Sequence, residues 1–271
     1  MKLNKTIVDA IYAHAEVENP KECCGVVVLS GGKKRYLPLP NSAVAPEKDF
    51  RISAESWADA EDQGEPVCVV HSHPGQSARL SGADRVSLEA TELPWLIVEV
   101  REGKPVSHLI HLPTGYQAPL LGRSFHHGVL DCYTLVRDYY WRELGIELAD
   151  YEREDGWWNG TEDHYMDKYE ATGFHQIDPG ELRQGDLIIM QVRAEKANHA
   201  GIYLADGKLQ TEPDHHPMPG CILHHLYGKD SKRDIFGGYW RDTARLYLRH
   251  KDVDITASPK LLGIYTGCAV G

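Results

Sequence analysis

The chain is short of positive charge: 29 Lys and Arg stand against 40 Asp and Glu, a formal net charge of −11 over 271 residues. No basic stripe offsets that balance, which argues against a nucleic-acid surface. Long apolar runs are missing too. No stretch approaches the roughly 18 apolar residues that cross a bilayer, so no membrane span is expected. The opening MKLNKTIVDAIYAHA is interrupted by Asp9 and His14 and lacks the apolar core of a secretory signal. No CxxC pair occurs among the six Cys (23, 24, 68, 132, 221 and 268), and Cys23 and Cys24, being adjacent, do not readily bond each other. This pattern points to free thiols in a reducing compartment rather than a disulfide framework. No internal repeat is visible, so the two halves read as different domains.

What remains is an ordinary globular composition, 42% apolar and 25% charged, in a length that suits one large or two ordinary domains. Fifteen His is a high count, and histidine is both the commonest metal ligand and the usual general base. Several lie in pairs (126–127, 215–216 and 224–225) that solvated loops would also explain.

Residues 3–17 carry Leu3, Ile7, Ala10, Ile11 and Ala15 on one helical face. GVVVLS (25–30) reads as a buried strand, Gly31-Gly32 as a turn, and residues 35–39 as a second strand. PVCVV (66–70) reads as a strand that ends at His71, DRVSLEAT as a helix opened by Ser81, and PWLIVEV (94–100) as a further strand. HLPTGYQAPLLG (111–122), with two Pro and two Gly, marks a boundary. A helical run, CYTLVRDYYWRELG, follows Asp131. Residues 150–180 read as irregular surface with a short helix, and strands are expected at 186–192, 199–204, 221–226 and 243–248. The domains are therefore set at 1–112, a linker at 113–122, a second domain at 123–249 and a weakly ordered tail at 250–271.

Two constellations carry chemistry. His71 and His73, at i and i+2 on a strand, point to one side, so both imidazoles can reach one ion. Asp84, eleven residues after His73 and at a helix start, offers a third ligand. Three protein ligands leave a fourth zinc position for water, whose pKa the ion lowers. The plainer readings are a structural HxH pair and an S-x-x-D helix capping box. The second constellation is Cys132, which opens the helix after Asp131, a good N-cap. The helix dipole there is expected to lower the thiol's pKa. The plainer reading is a small buried core residue. His199, at the mouth of the NHAGIY strand, supplies a base opposite that thiol, and a third polar group would orient it.

HxHP ahead of SxxD, with Glu22 in NPKECCG beside the first core strand, resembles the JAMM (JAB-domain) metalloproteases over roughly residues 1–110. The resemblance implies a cytidine-deaminase-like mixed sheet flanked by helices. It makes His71, His73 and Asp84 ligands of Zn2+, Glu22 the general base and Ser81 an aid to the oxyanion. The order D-C-x-x-L-V, L-x-x-G-D-L and N-H-A-G-I-Y resembles the NlpC-type cysteine peptidases of bacterial cell-wall turnover over roughly 120–249. That implies a papain-like α+β domain with an antiparallel sheet, Cys132 as nucleophile and His199 as base. The family's third residue would fall near Thr211 by direct counting. An insertion of about a dozen residues delays it to His224, with His225 the alternative, and leaves His215 and His216 in the inserted loop. The Tyr that such enzymes often carry ahead of the Cys is replaced in position by Phe125.

The fusion of these two domains, with the run RDIFGGYWRDTARLYLRH near its end, resembles the tail-tip assembly proteins of lambda-like siphophages. The resemblance implies synthesis in a host cytoplasm, other tail-tip proteins as partners, and peptidoglycan peptides as substrate in the host cell wall. Either the thiol domain cuts stem peptides while the zinc domain acts as an (iso)peptidase, or the protein is mainly an assembly factor or processes phage tail proteins.

Overall fold

The runs GVVVLS and PVCVV form two adjacent inner strands of a mixed sheet in a computed structural model that describes residues 1–151, 153–161 and 163–253. The chain divides into two compact units, Met1–Ala118 and Pro119–Gly271. The tail expected at 250–271, Cys268 included, lies from residue 254 onward outside the described residues.

In the first unit, α1 (Lys5–Glu18) starts at Asn4, whose side chain accepts the Ile7 N–H. A five-stranded sheet follows, built from β1 (Cys24–Ser30), β2 (Lys33–Leu39), β3 (Glu65–Pro74), β4 (Trp95–Arg101) and β5 (Lys104–His111) in the order β2-β1-β3-β4-β5. β3 and β4 are parallel and the other pairs antiparallel. Two helices complete the unit, α2 (Ala54–Glu61) and α3 (Gly82–Thr91), the latter in the crossover between β3 and β4. The period of two along β3 sorts its side chains. Cys68 and Val70 join Ile7, Ile11 and Ala15 under α1, while Val69 packs with Leu88 of α3 and Trp95 on the other face. His71 and His73 follow Val69 in phase, so they emerge on the face that α3 covers.

β3 does not stop at His71. It continues through Pro74, because parallel pairing with β4 carries the ladder to Pro74↔Val100. β5 has no clear sequence signal, because its apolar residues do not mark a buried face: Val106 and Leu109 are exposed on this edge strand.

The second unit has a six-stranded, wholly antiparallel sheet. Its strands are β6 (Phe174–Gln176), β7 (Leu187–Met190), β8 (His199–Leu204), β9 (Cys221–His224), β10 (Lys232–Ile235) and β11 (Ala244–His250), ordered β10-β9-β8-β7-β11-β6. α4 (Cys132–Leu144) buries Leu135, Val136, Tyr139 and Tyr140 against Ala200, Ile202, Leu204 and Leu223. Gly145, at φ 68°, ends it in the left-handed conformation that glycine adopts without penalty. The opposite sheet face gathers Ile188, Met190, Ile222 and Phe236, with Trp240 of the short α6 (Tyr239–Thr243) packed against them. The mixed sheet with helices and the antiparallel α+β unit are the two fold classes expected from sequence.

Two candidate catalytic sites

The first site is set by the β3 face and the first turn of α3. Asp84 is buried and does two jobs with its two oxygens. Its Oδ2 accepts the Ser81 backbone N–H at 2.8 Å while its own N–H donates to Ser81 Oγ at 3.0 Å, a complete capping box. The same carboxylate reaches both imidazoles, with His71 Nε2 at 3.3 Å from Oδ1 and His73 Nε2 at 3.4 Å from Oδ2. The two Nε2 atoms are 3.0 Å apart. The capping and ligand readings of Asp84 are therefore compatible.

These spacings suit a metal ion. Nitrogen and oxygen ligands held tetrahedrally at about 2.0–2.1 Å from zinc lie about 3.3 Å from one another. His73 Nδ1 donates to the Ser77 carbonyl at 2.9 Å, which leaves its Nε2 lone pair aimed at the cluster. Ligand atoms of Glu22, His71 and His73 all lie within 4.8 Å of one another. Phe50 stacks on the His71 ring at 4.3 Å and Trp95 meets its edge at 5.3 Å, so the site has an aromatic, water-poor wall. Glu22 is buried, with its N–H bonded to the Pro46 carbonyl and its own carbonyl held by Asn41.

Charge follows from these contacts. Burial pushes the Glu22 carboxyl up to about 8, against the opposing pull of His73. Burial would also raise Asp84, but hydrogen bonds from His71 and His73 outweigh it and hold that carboxyl far below the usual range. Burial lowers His71; for His73, Asp84 and the Ser77 carbonyl overcome burial and raise it. Ser81 is exposed, and its Oγ accepts in the cap, so its O–H remains available to donate.

The second site lies along a cleft of about 550 Å³ lined by Cys132, His199 and Tyr165 among others. Cys132 opens α4, and Asp131 caps it by accepting the Thr134 N–H at 2.9 Å. Arg153 locks that cap, donating to the two Asp131 oxygens at 2.7 and 3.0 Å. The thiol's pKa departs from expectation. Burial, seconded by the Asp131 charge, raises it to about 11, outweighing the donors that favour thiolate, Tyr165 and the backbone of Ala200. His199 is driven well below its ordinary value by burial and by its neighbours His224 and His225. The resting pair is therefore neutral thiol and neutral imidazole.

His199 Nε2 and His224 Nδ1 are 3.0 Å apart, and His224 Nε2 lies 3.1 Å from Asp234 Oδ2. Thr211 instead bonds Glu143, and His215 and His216 are exposed in their loop. His224 and His225 are both fully buried, so that pair is no solvated loop. His225 packs edge-on against Phe125 rather than joining the His199 bond. Gly201, directly opposite His224 on β8, makes room for the pair: a Cβ there would stand 3.4 Å from the His224 Cβ.

Two residues escaped the sequence reading. Asp234 is one. Tyr165 is the other: its hydroxyl lies 3.4 Å from Cys132 Sγ and comes from α5 (His164–Lys168), inside the segment read as irregular surface. A short helix was expected there, but nothing in the local pattern directs one tyrosine inward.

A JAB-type unit followed by a papain-like NlpC/P60-type unit defines a two-domain protein of peptidase families. Residues 4–109 match Prok-JAB, prokaryotic homologs of the JAB domain, and residues 122–249 match the NlpC/P60 family. The chain is 40% identical to tail tip assembly protein K of Escherichia phage N15 over 253 residues, 93% of this chain and 97% of that protein. It is 37% identical to tail tip assembly protein K of Escherichia phage lambda over 203 residues, 74% of this chain and 89% of that one. The chain belongs to the tail tip assembly protein K family of phages. The chain is also 29% identical to the CysO-cysteine peptidase of Mycobacterium bovis over 103 residues, 35% of this chain and 70% of that protein. Among the described residues no helix is long and apolar enough to cross a membrane.

Proposed function

We propose that this tail-tip protein is a thiol peptidase that cleaves amide bonds in peptidoglycan stem peptides. The 3.0 Å contact between His199 Nε2 and His224 Nδ1, with His199 and Cys132 lining one cleft, carries this reading. Cys132 Sγ attacks the scissile carbonyl carbon as its proton passes to His199, forming the S–C bond. The backbone N–H of Cys132, at the head of α4, and the Tyr165 hydroxyl, 3.4 Å from the sulfur, would donate to the developing oxyanion. His199 then returns the proton to the leaving amine as the C–N bond breaks, and water hydrolyses the thioester. With a neutral resting pair, His199 works as a general base during attack rather than as one half of a standing ion pair.

In the first unit, His71, His73 and Asp84 would hold a zinc ion, which when bound supplies Lewis-acid polarisation and an acidified water. Glu22 is placed to take and return a proton, and Ser81 to donate to an oxyanion. This unit serves as an amide or isopeptide hydrolase acting on tail proteins or on the wall.

Other tail-tip proteins are the expected partners, with synthesis in the host cytoplasm and action in the host wall as DNA is injected. The competing reading, favoured by the names of the N15 and lambda relatives, is an assembly factor with peptidase activity secondary. Digestion of purified peptidoglycan with wild type and Cys132→Ala separates them. New muropeptide ends from wild type alone are expected; none from wild type overturns the wall-hydrolase reading. Normal tails built without the protein would overturn the assembly reading.

A further inference from the structure

The thiol site does not end at His224. We propose that Asp234 is a positioning residue which, through His224, fixes the proton of His199 on Nε2 and leaves Nδ1 as the base for Cys132. This rests on the thiol-peptidase reading above, although its first test does not.

Donors and acceptors must alternate along a line of atoms from Asp234 to His199. An ionised carboxylate only accepts, so the 3.1 Å contact between Asp234 Oδ2 and His224 Nε2 requires the proton on that nitrogen. A neutral His224 then has only a lone pair on Nδ1. The 3.0 Å contact at Nδ1 therefore takes its proton from His199 Nε2. A neutral His199 protonated on Nε2 has its lone pair on Nδ1, the one ring nitrogen not committed to His224. One acceptor at the end of the line thus selects the tautomer two residues away.

The surroundings satisfy each condition. Lys232 Nζ, 2.8 Å from Asp234 Oδ2, together with His224 overcomes the effect of burial and keeps the carboxyl ionised. Burial lowers His224 despite Asp234, and His199 more strongly, so both rings are neutral near pH 7. Trp240 closes over them, its ring 4.4 Å from His224 and 6.1 Å from His199. That limits exchange with water that would otherwise scramble the tautomers. The sheet also dictates the alignment. His224 pairs with Gly201 on one side and Lys232 on the other, so His199 and Asp234 are its diagonal neighbours on one sheet face. When His199 takes the thiol proton, the imidazolium is stabilised through the same line by the Asp234 charge.

The experiment is 15N NMR of the imidazole nitrogens in the full chain, together with turnover of a stem-peptide substrate. In wild type both His199 and His224 are expected as the Nε2–H tautomer; an Nδ1–H signal dominating either ring would overturn the inference without any variant. In Asp234→Ala the fixed tautomers are expected to mix and kcat to fall 10- to 100-fold with KM within about twofold, with Asp234→Glu recovering most of both. Unchanged tautomers or unchanged kcat in a folded Asp234→Ala chain would also overturn it. Should wild type hydrolyse nothing, the peptidase reading fails while the NMR result still decides the role of Asp234.

Discussion

Arg153 grips both oxygens of Asp131 at 2.7 and 3.0 Å, so the residue that caps the helix opened by Cys132 is itself held from a segment with little regular structure. Both side chains are nearly buried, at 9% and 3% exposure. Removing one partner of such a pair strands the other charge, which costs about 3–5 kcal/mol.

Arg153→Ala should lose about 3 kcal/mol at neutral pH, the lower end of that range, because Thr134 and Gly128 still donate to Asp131. The sign with pH is fixed. In wild type, Arg153 overcomes burial and holds Asp131 below its ordinary value, a contribution present above the unfolded pKa and lost as pH falls through the folded one. Without Arg153 burial prevails and the carboxyl titrates higher, so stability is lost as pH rises. The deficit against wild type should widen from pH 4 to pH 7 in urea melts. A deficit that is constant or narrows would count against the pairing.

Asp84→Asn separates the two jobs of that residue. The amide oxygen still accepts the Ser81 N–H, so the melting temperature should stay close to that of metal-free wild type, whereas Asp84→Ala should cost about 1 kcal/mol from the lost cap. Wild type should hold one zinc per chain, and both variants, like His71→Ala, should lose it. Metal analysis showing full occupancy in His71→Ala or Asp84→Ala would refute the ligand set.

Cys132, raised to about 11, should react with iodoacetamide ever faster as pH climbs from 7 to 10, without an early plateau. A plateau below pH 7 would reveal a preformed thiolate instead. Tyr165→Phe deletes a donor 3.4 Å from the sulfur and should slow the reaction about threefold to tenfold at fixed pH. Cys132→Ala provides the blank for the other thiols.

Gly201→Val inserts a branched side chain where a Cβ already meets Met190 Cε at 3.0 Å and the His224 Cβ at 3.4 Å. Overpacking of this kind costs about 1–3 kcal/mol. The larger effect should be on turnover, because His224 is pushed off His199. Full activity with an unchanged melting curve would show that the strand has slack there.

How far the sequence could be read depends on how local each feature is. His71, His73, Ser81 and Asp84 span one strand end and one helix start, so spacing alone brings them together. Cys132 and His199 stand beside recognisable helix-cap and strand patterns. Asp234 is different: KRDI is a four-residue edge strand with no apolar face, and its partner follows only from the β9–β10 register. Tyr165 depends on the path of a segment that lacks periodicity. The thiol's pKa runs opposite to the lowering expected from the helix dipole because burial dominates.

His199, His224 and Asp234 come from three adjacent strands on one sheet face, where neighbouring residues alternate sides. A slip of one residue in either ladder would turn a member of the line to the opposite face and break it. A partly folded or mispaired chain would then lack the line altogether, so strand register itself gates the chemistry proposed for the thiol site.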